Sequence, residues 1–452
     1  MRMPIAARDC AASVLARVEA DGAFAAAALD AALRRAALDA RDRALATELV
    51  YGVLRTAPAL DKALGAQARD GVVSLRRLDA LTRATLRVAA YQLLALDRVP
   101  PRAAVDSAVA SVRRARTPRL AGFVNAVLRR LAASRPSSLP ADARVALALQ
   151  AFPGPARTRM AAVLGEAGVE AHLRATFADE RAVTLRIDPR VASRDAVVSR
   201  LRSELPDAMV FPGRLSPFAV RVAGGGDPAG WSVLREGVAA LQEEGAQAVV
   251  AMAGVAPGQR VLEVCAGRGG KSATAALWME GRGVLHAVDL YPEKLTRLRD
   301  TLGGMGFGEA LRVETFAADV TRGFGQLPAG TYDVVIVDAP CSGLGTVGHR
   351  PDVLWRLRGE DAWAGLVATQ EGILARAASR VAPGGTLLYA VCTLDTEEGD
   401  GVVQRFLARE RDFVPARGDP KRVPERLLEA RVVLDAATDG TDGFMMWRLR
   451  RT

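Results

Sequence analysis

Apolar positions recur at three- and four-residue intervals along the first third of the chain. The stretches AARDCAASVLARV, LDAALRRAAL, RDRALATELVYGVLR, LDALTRATLRVAAYQLLAL and AAVDSAVASVRRA each gather their apolar side chains on one face. That spacing predicts an all-helical domain over residues 1–135. Pro100-Pro101 interrupts the period and Asp106 follows, which predicts a turn between two helices. The Pro- and Ser-rich SRPSSLPAD, residues 134–142, then opens a linker with further helices over 136–159.

The texture changes near residue 180. AVTLRID and FAVRVAGGG read as strands around the helical RDAVVSRLRSEL, so a small α+β subdomain is expected over 160–235. From 236 to 452 short apolar runs (VLEV, VLHAVDL, ETFAAD, YDVVIVD, TLLYAVC) alternate with helical segments such as PEKLTRLRDTLGG. Continuous Val- and Leu-rich strands separated by helices predict an α/β domain built on a parallel, doubly wound sheet. Ligands of such sheets sit beyond the carboxyl ends of the strands.

Charge and cysteine usage narrow the class. Lys and Arg number 61 against 51 Asp and Glu, a net charge of +10 that favours a polyanionic partner. Arg113, Arg114, Arg116, Arg129 and Arg130 are the candidates in the helical domain. The four cysteines form no CxxC pair and the three histidines no cluster, so no metal is expected. Unpaired cysteines suit a reducing compartment. Charged residues break up the N-terminal segment, and no run of 18 apolar residues occurs. A cytoplasmic, monomeric protein without a membrane partner is therefore expected.

The polar residues at the strand ends point to a nucleoside. VLEVCAGRGGKS, 261–272, places Cys265, Ala266, Gly267, Arg268, Gly269, Gly270 and Lys271 in a βα turn. Its glycines let backbone approach a ligand, and its helix start favours an anionic group. Asp289 ends the second strand, 19 residues after Gly270, where an acid accepts from ribose hydroxyls. Asp319 ends the third strand, placed to reach an adenine edge. Asp338 closes the same rim at the end of the fourth. A P-loop would need glycine where Cys265 stands, and the GxGxxG fingerprint is absent. S-adenosylmethionine fits the set best.

Two cysteines occupy adjacent strand ends, Cys341 in DAPCSGLG (338–345) and Cys392 in YAVCTLDTEEG (389–399). Two thiols at one rim favour chemistry over packing, whereas Cys10 has the setting of a buried core thiol. Together with HRPDVLWR (349–356), GVAALQEEGAQ (237–247) and the terminal TDGFMMWRLRR, these motifs resemble the NOL/NOP/Sun family of RNA cytosine-C5 methyltransferases. DRALATELVYGVLR, LRVAAYQLLALDRVP and GFVNAVLRRL are similar to the NusB-like helical domain of its small-subunit ribosomal RNA branch.

The resemblance implies a Rossmann-like class I methyltransferase domain using S-adenosylmethionine. It implies RNA as partner, either 16S rRNA or a small-subunit assembly intermediate, with tRNA as the alternative substrate. It assigns attack on C6 of the base to Cys392, base recognition to Asp338, and help in product release to Cys341. Arg350, Pro351 and Asp352 would shape a loop over the pocket, buttressed by Asp442 and Phe444. The glycine loop departs from the family pattern: Glu263 replaces Asp, and Gly267-Arg268 replace Ala-Pro. A catalytically silent RNA-binding protein would need neither thiol. A zinc deaminase would need PCxxC, which the Ser342-Gly343-Leu344 sequence after Cys341 breaks.

Overall fold

A computed structural model describes residues 6–68, 71–115, 117–178, 181–357 and 361–452. The chain divides into two compact units. The first takes in the residues up to Thr158 together with the segment that begins at Val347. The second takes in Arg159–Thr346 and the remainder.

The first unit is helical, from Ala7–Asp21 to Ala143–Ala151. Asp39 and Asp79 open two of its helices, their carboxylates accepting the N–H groups of Asp42 (2.7 Å) and Thr82 (2.9 Å). Pro101 does not end a helix. It starts Pro101–Arg114, because a first-turn proline lacks only an N–H that would have no helical partner. The expected turn between two helices lies just before it, after Ala80–Ala95, and Asp106 sits inside the second helix, within the AAVDSAVASVRRA stretch. Arg87, 4% exposed, pairs with Asp61 through both ends of its fork (2.7 Å each) and with Glu19 at 3.0 Å. Arg114 is drawn to Asp9 at 2.8 Å, and Arg116 lies outside the described residues.

The segment from Val347 packs against these helices. Trp355 Nε1 donates to Leu54 O (3.0 Å), the Arg87 guanidinium lies over the Trp355 ring at 5.2 Å, and Arg55 donates to Gly348 O (2.8 Å). Arg350, Pro351 and Asp352 thus belong to the helical unit, where Asp352 pairs with Arg356 at 3.4 Å.

The second unit carries two sheets. Strands β1 (Val183–Ile187), β2 (Met209–Pro212), β3 (Ala219–Ala223) and β4 (Ala239–Leu241) form an antiparallel sheet in the order β2-β3-β1-β4. The larger sheet contains β5 (Arg260–Val264), β6 (Gly283–Asp289), β7 (Leu311–Ala317), β8 (Tyr332–Asp338), β9 (Val381–Val391), β10 (Phe413–Pro415), β11 (Arg431–Leu434) and β12 (Phe444–Arg451). Its order is β10-β12-β9-β8-β5-β6-β7, with β11 also paired to β12. The five strands β5 to β9 are parallel, as their apolar runs predict. The sheet as a whole is mixed, because β12 runs antiparallel to β9 and β10 and β11 antiparallel to β12. The terminal TDGFMMWRLRR supplies β12, which lies antiparallel beside β9. Strand order reverses between β5 and β8, which opens the crevice where ligands of such sheets bind. Among the described residues no helix is long and apolar enough to cross a membrane.

Candidate active site

Beyond Val264 the chain turns through residues 265–269 and enters the helix Gly270–Trp278. Cys265, Gly267 and Gly269 all take left-handed backbone conformations, with φ of 62°, 60° and 87°. Only glycine suits position 269, since a Cβ would also stand 2.6 Å from the Leu298 side chain. Cys265 holds this conformation as a non-glycine residue, and burial pushes its thiol well up, leaving it neutral. Gly267 N–H donates to Asp289 Oδ2 at 2.8 Å, so the acid of the second strand shapes the glycine turn of the first. Asp289 Oδ1 accepts Tyr291 N–H (3.0 Å) and faces Lys294 Nζ at 3.5 Å. Asp319 lies two residues past β7, its Oδ1 held by Thr321 N–H (3.0 Å) and Oγ1–H (2.6 Å). Ala266 is buried, while Arg268 and Gly270 are exposed.

Two further residues steady this loop. Arg186 on β1 is buried and donates through Nη1 to Gly270 O (3.0 Å) and Gln242 Oε1 (2.7 Å). Burial pushes its guanidinium down to about 10. Glu263, 1% exposed, accepts the Ser272 hydroxyl, and its Oε1 has no partner. Burial pushes its carboxyl up to about 7, against the Ser272 hydrogen bond and the Lys271 charge.

Lys271 links the loop to the chemistry, its Nζ lying 2.6 Å from Asp338 Oδ2 at the end of β8. Burial alone would lower the Lys271 ammonium, but the Asp338 charge and hydrogen bond hold it above its ordinary value. Next to this pair, Cys341 Sγ and Cys392 Sγ are 3.3 Å apart. β8 and β9 are neighbours in parallel register, Asp338 opposite Ala390, so the loops that follow them meet. The hydrogen bond to Cys392, with burial added, pushes the Cys341 thiol far up.

The loops are braced from behind. Ser342 N–H donates to Glu398 Oε2 (2.8 Å), Gln370 Nε2 donates to the same oxygen and to Pro340 O (2.9 Å each), and the Ser342 and Thr393 hydroxyls are 2.8 Å apart. Gly345 N–H donates to Cys392 O (3.1 Å), and Gly443 N–H to Gly345 O (2.8 Å). The two glycine backbones cross so closely that a Cβ at Gly345 would lie 2.0 Å from Gly443 O. Asp442 anchors that crossing: it pairs with Arg181, and its N–H donates to Glu243 Oε1 (3.0 Å). Phe444 is buried beside Gly245. The pattern of strand ends located the loops but missed Arg186, Gln242, Gln370 and Glu398. Glu398 left a signal in the Glu397-Glu398 pair after Cys392, and Gln242 one in GVAALQEEGAQ. Among the described residues no group of three or more His, Cys, Asp or Glu is placed to hold a metal.

Residues 5–133 match the NusB family, and residues 251–445 match the family described as 16S rRNA methyltransferase RsmB/F. The ribosomal RNA small subunit methyltransferase B of Xylella fastidiosa (strain 9a5c) is 33% identical, over 90% of this chain and 92% of that protein. The solved structure of PH0851 superposes with a TM-score of 0.78 at 22% identity, covering all of both chains. That of NSun6 from Pyrococcus horikoshii with SFG gives 0.55 at 15% identity, over 67% of this chain and 99% of the other. At these identities the two structures speak for the fold. The sequence relationships go further: the chain belongs to the RsmB/F family of 16S rRNA methyltransferases, its catalytic part joined to a NusB-family domain.

Proposed function

We propose that the protein methylates C5 of a cytosine in 16S rRNA, using S-adenosylmethionine and a transient covalent bond between Cys392 and C6 of the base. The observation that carries this reading is the pair of thiols 3.3 Å apart beside Asp338 and Lys271. The donor fits the residues present. Asp289 offers a carboxylate for ribose hydroxyls, the Gly267–Gly270 turn offers backbone, and the buried, unpartnered Glu263 Oε1 calls for a donor such as an ammonium. SFG, an analogue of S-adenosylmethionine, accompanies NSun6 in its structure. When bound, S-adenosylmethionine supplies an electrophilic methyl group.

C5 of cytosine is a weak nucleophile while the ring is aromatic. A Cys392 thiolate adding to C6 makes C5 enamine-like, and C5 would then take the methyl carbon as that carbon's bond to the donor's sulfonium breaks, leaving a thioether, S-adenosylhomocysteine. Asp338, oriented by Lys271, accepts from the exocyclic amine and steadies the positive character that the amine gains as C5 gives its electrons to the methyl carbon. The C5 proton then passes to water, its electron pair re-forms the C5–C6 double bond, and the C6–S bond breaks with its pair returning to Cys392. Cys341, kept as a neutral thiol, donates to the Cys392 sulfur and stabilises it as the departing thiolate. This fits its surroundings better than proton abstraction, which would need Cys341 ionised.

Incubation of Cys392→Ala and Cys341→Ala proteins with 16S rRNA and methyl donor tests the assignment on a denaturing gel. Cys392→Ala should give neither methylation nor adduct. Cys341→Ala should retain the methylated RNA as a slowly resolving covalent species. An adduct formed by Cys392→Ala would reverse the two roles.

A further inference from the structure

The second unit has a cavity at the opposite end of the sheet. It is lined by Asp333 near the start of β8, Gln259 just before β5, and the Pro383-Gly384-Gly385 turn within β9. The catalytic loops follow the carboxyl ends of these strands, so the cavity belongs to their amino ends. Its volume is about 310 Å³, the space of roughly ten waters at about 30 Å³ each and the lower end of the range for small-ligand pockets.

Its walls hold two arginines short of partners. Arg448 extends from β12 with Nη2 only 3.5 Å from Thr386 Oγ1, the long limit for such a bond, while Nη1 is buried with no acceptor. Among the described residues no carboxylate lies within ion-pairing distance of Arg448. Burial pushes its guanidinium down, the Asp419 charge only partly opposes this, and the Arg422 charge adds to it. Arg422 is 54% exposed at the rim, with Nε 3.9 Å from Asp419 Oδ2, a loose pair. Asp419 is also engaged by Lys421 N–H at 3.0 Å, and Asp333 by Arg260 N–H at 2.7 Å. Gly254 leaves the guanidinium room, since a Cβ there would come within 3.4 Å of Nη1. A buried N–H without an acceptor is a standing penalty, and two like charges facing one space add to it. An oxyanion between the arginines relieves both, and guanidinium forks match phosphate oxygens.

We propose that this cavity is a second ligand site, for the phosphate group of a small phosphate ester or of an RNA strand, with Arg448 and Arg422 as its anion-binding residues. The test is calorimetric titration of the full-length protein with inorganic phosphate and with ribose 5-phosphate, ribose serving as the control. Because these probes carry no adenine, S-adenosylhomocysteine can be added to occupy the donor site. Saturable binding of both phosphates but not of ribose is expected, weakened at least tenfold by Arg448→Met. Arg422→Gln, at an exposed position that folding does not depend on, should weaken it several-fold. Competition by a short oligoribonucleotide would identify RNA as the source of the phosphate, and lack of competition a free ester. Affinity unchanged in both variants would overturn the proposal, because the anion would then lie elsewhere. Absence of saturable binding to the wild-type protein would also overturn it, leaving the cavity to water.

Discussion

Glu263→Gln isolates the energetic consequence of a carboxyl group buried beneath the glycine loop. Its carboxyl titrates at about 7 in the folded protein against 4.5 for a free side chain. Below 4.5 the group is protonated in both states and stability is unaffected. Between the two values only the unfolded chain releases the proton, so stability falls as pH rises through that window and levels off above about 7. With these values the loss between pH 5 and pH 8 is about 2–3 kcal/mol, at roughly 1.4 kcal/mol per unit of separation. Glutamine keeps an acceptor for the Ser272 hydroxyl and cannot ionise. Urea unfolding of both proteins at pH 5 and pH 8 measures the difference. Tryptophan fluorescence suits the purpose, because Trp231, Trp278, Trp363 and Trp447 lie in the second unit and Trp355 alone in the first. Other groups titrate equally in both proteins and cancel. The wild type should lose about 2–3 kcal/mol more than Glu263→Gln over this interval. Parallel profiles would mean that Glu263 is ionised in the fold, and the account of its burial would fail.

Asp289→Ala removes the acceptor for Gly267 N–H as well as one for ribose, so donor binding measured by calorimetry should weaken by about 1–3 kcal/mol. Gly345→Ala forces a methyl group into Gly443 O, which should cost about 1–3 kcal/mol of stability and shift the Cys392 strand end. In steady-state assays it should lower kcat while leaving the KM for methyl donor near the wild-type value. Hydrogen peroxide should oxidise the facing thiols to one disulfide with release of two waters, seen as a loss of two mass units and of activity, both restored by dithiothreitol. A Cys341→Ala protein should show no such reversible product.

The parallel core was legible because its strands are buried on both faces and read as continuous apolar runs, YDVVIVD above all. The loops of the site were legible for a related reason: chemistry-bearing residues in such sheets follow the carboxyl ends of strands, which fixed Asp289, Asp338, Cys341 and Cys392 by position. The antiparallel edge was not. FMMWRLRR alternates no more clearly than its parallel neighbours, and strand direction depends on how the chain returns. Arg186 and Glu398 were hidden for another reason. Each acts through a hydrogen bond to backbone far away in sequence, Gly270 O and Ser342 N–H, and no local pattern records such a partner.

The helical unit is discontinuous in sequence, and this bears on how the chain is made. Its helices from Ala7–Asp21 to Ala143–Ala151 are complete by Thr158, yet Val353, Leu354 and Trp355, all at most 9% exposed, join that unit only from the segment that begins at Val347. At synthesis rates of about 5–20 residues per second, the 188 residues between these points, 159 to 346, take roughly 9–38 s to appear. Throughout that interval the newborn bundle presents to solvent and to chaperones the surface that Trp355 will later cover. By the same logic, no single cut separates the halves: a fragment beginning after residue 158 retains Trp355 but lacks the Leu54 carbonyl and the Arg87 guanidinium that receive it.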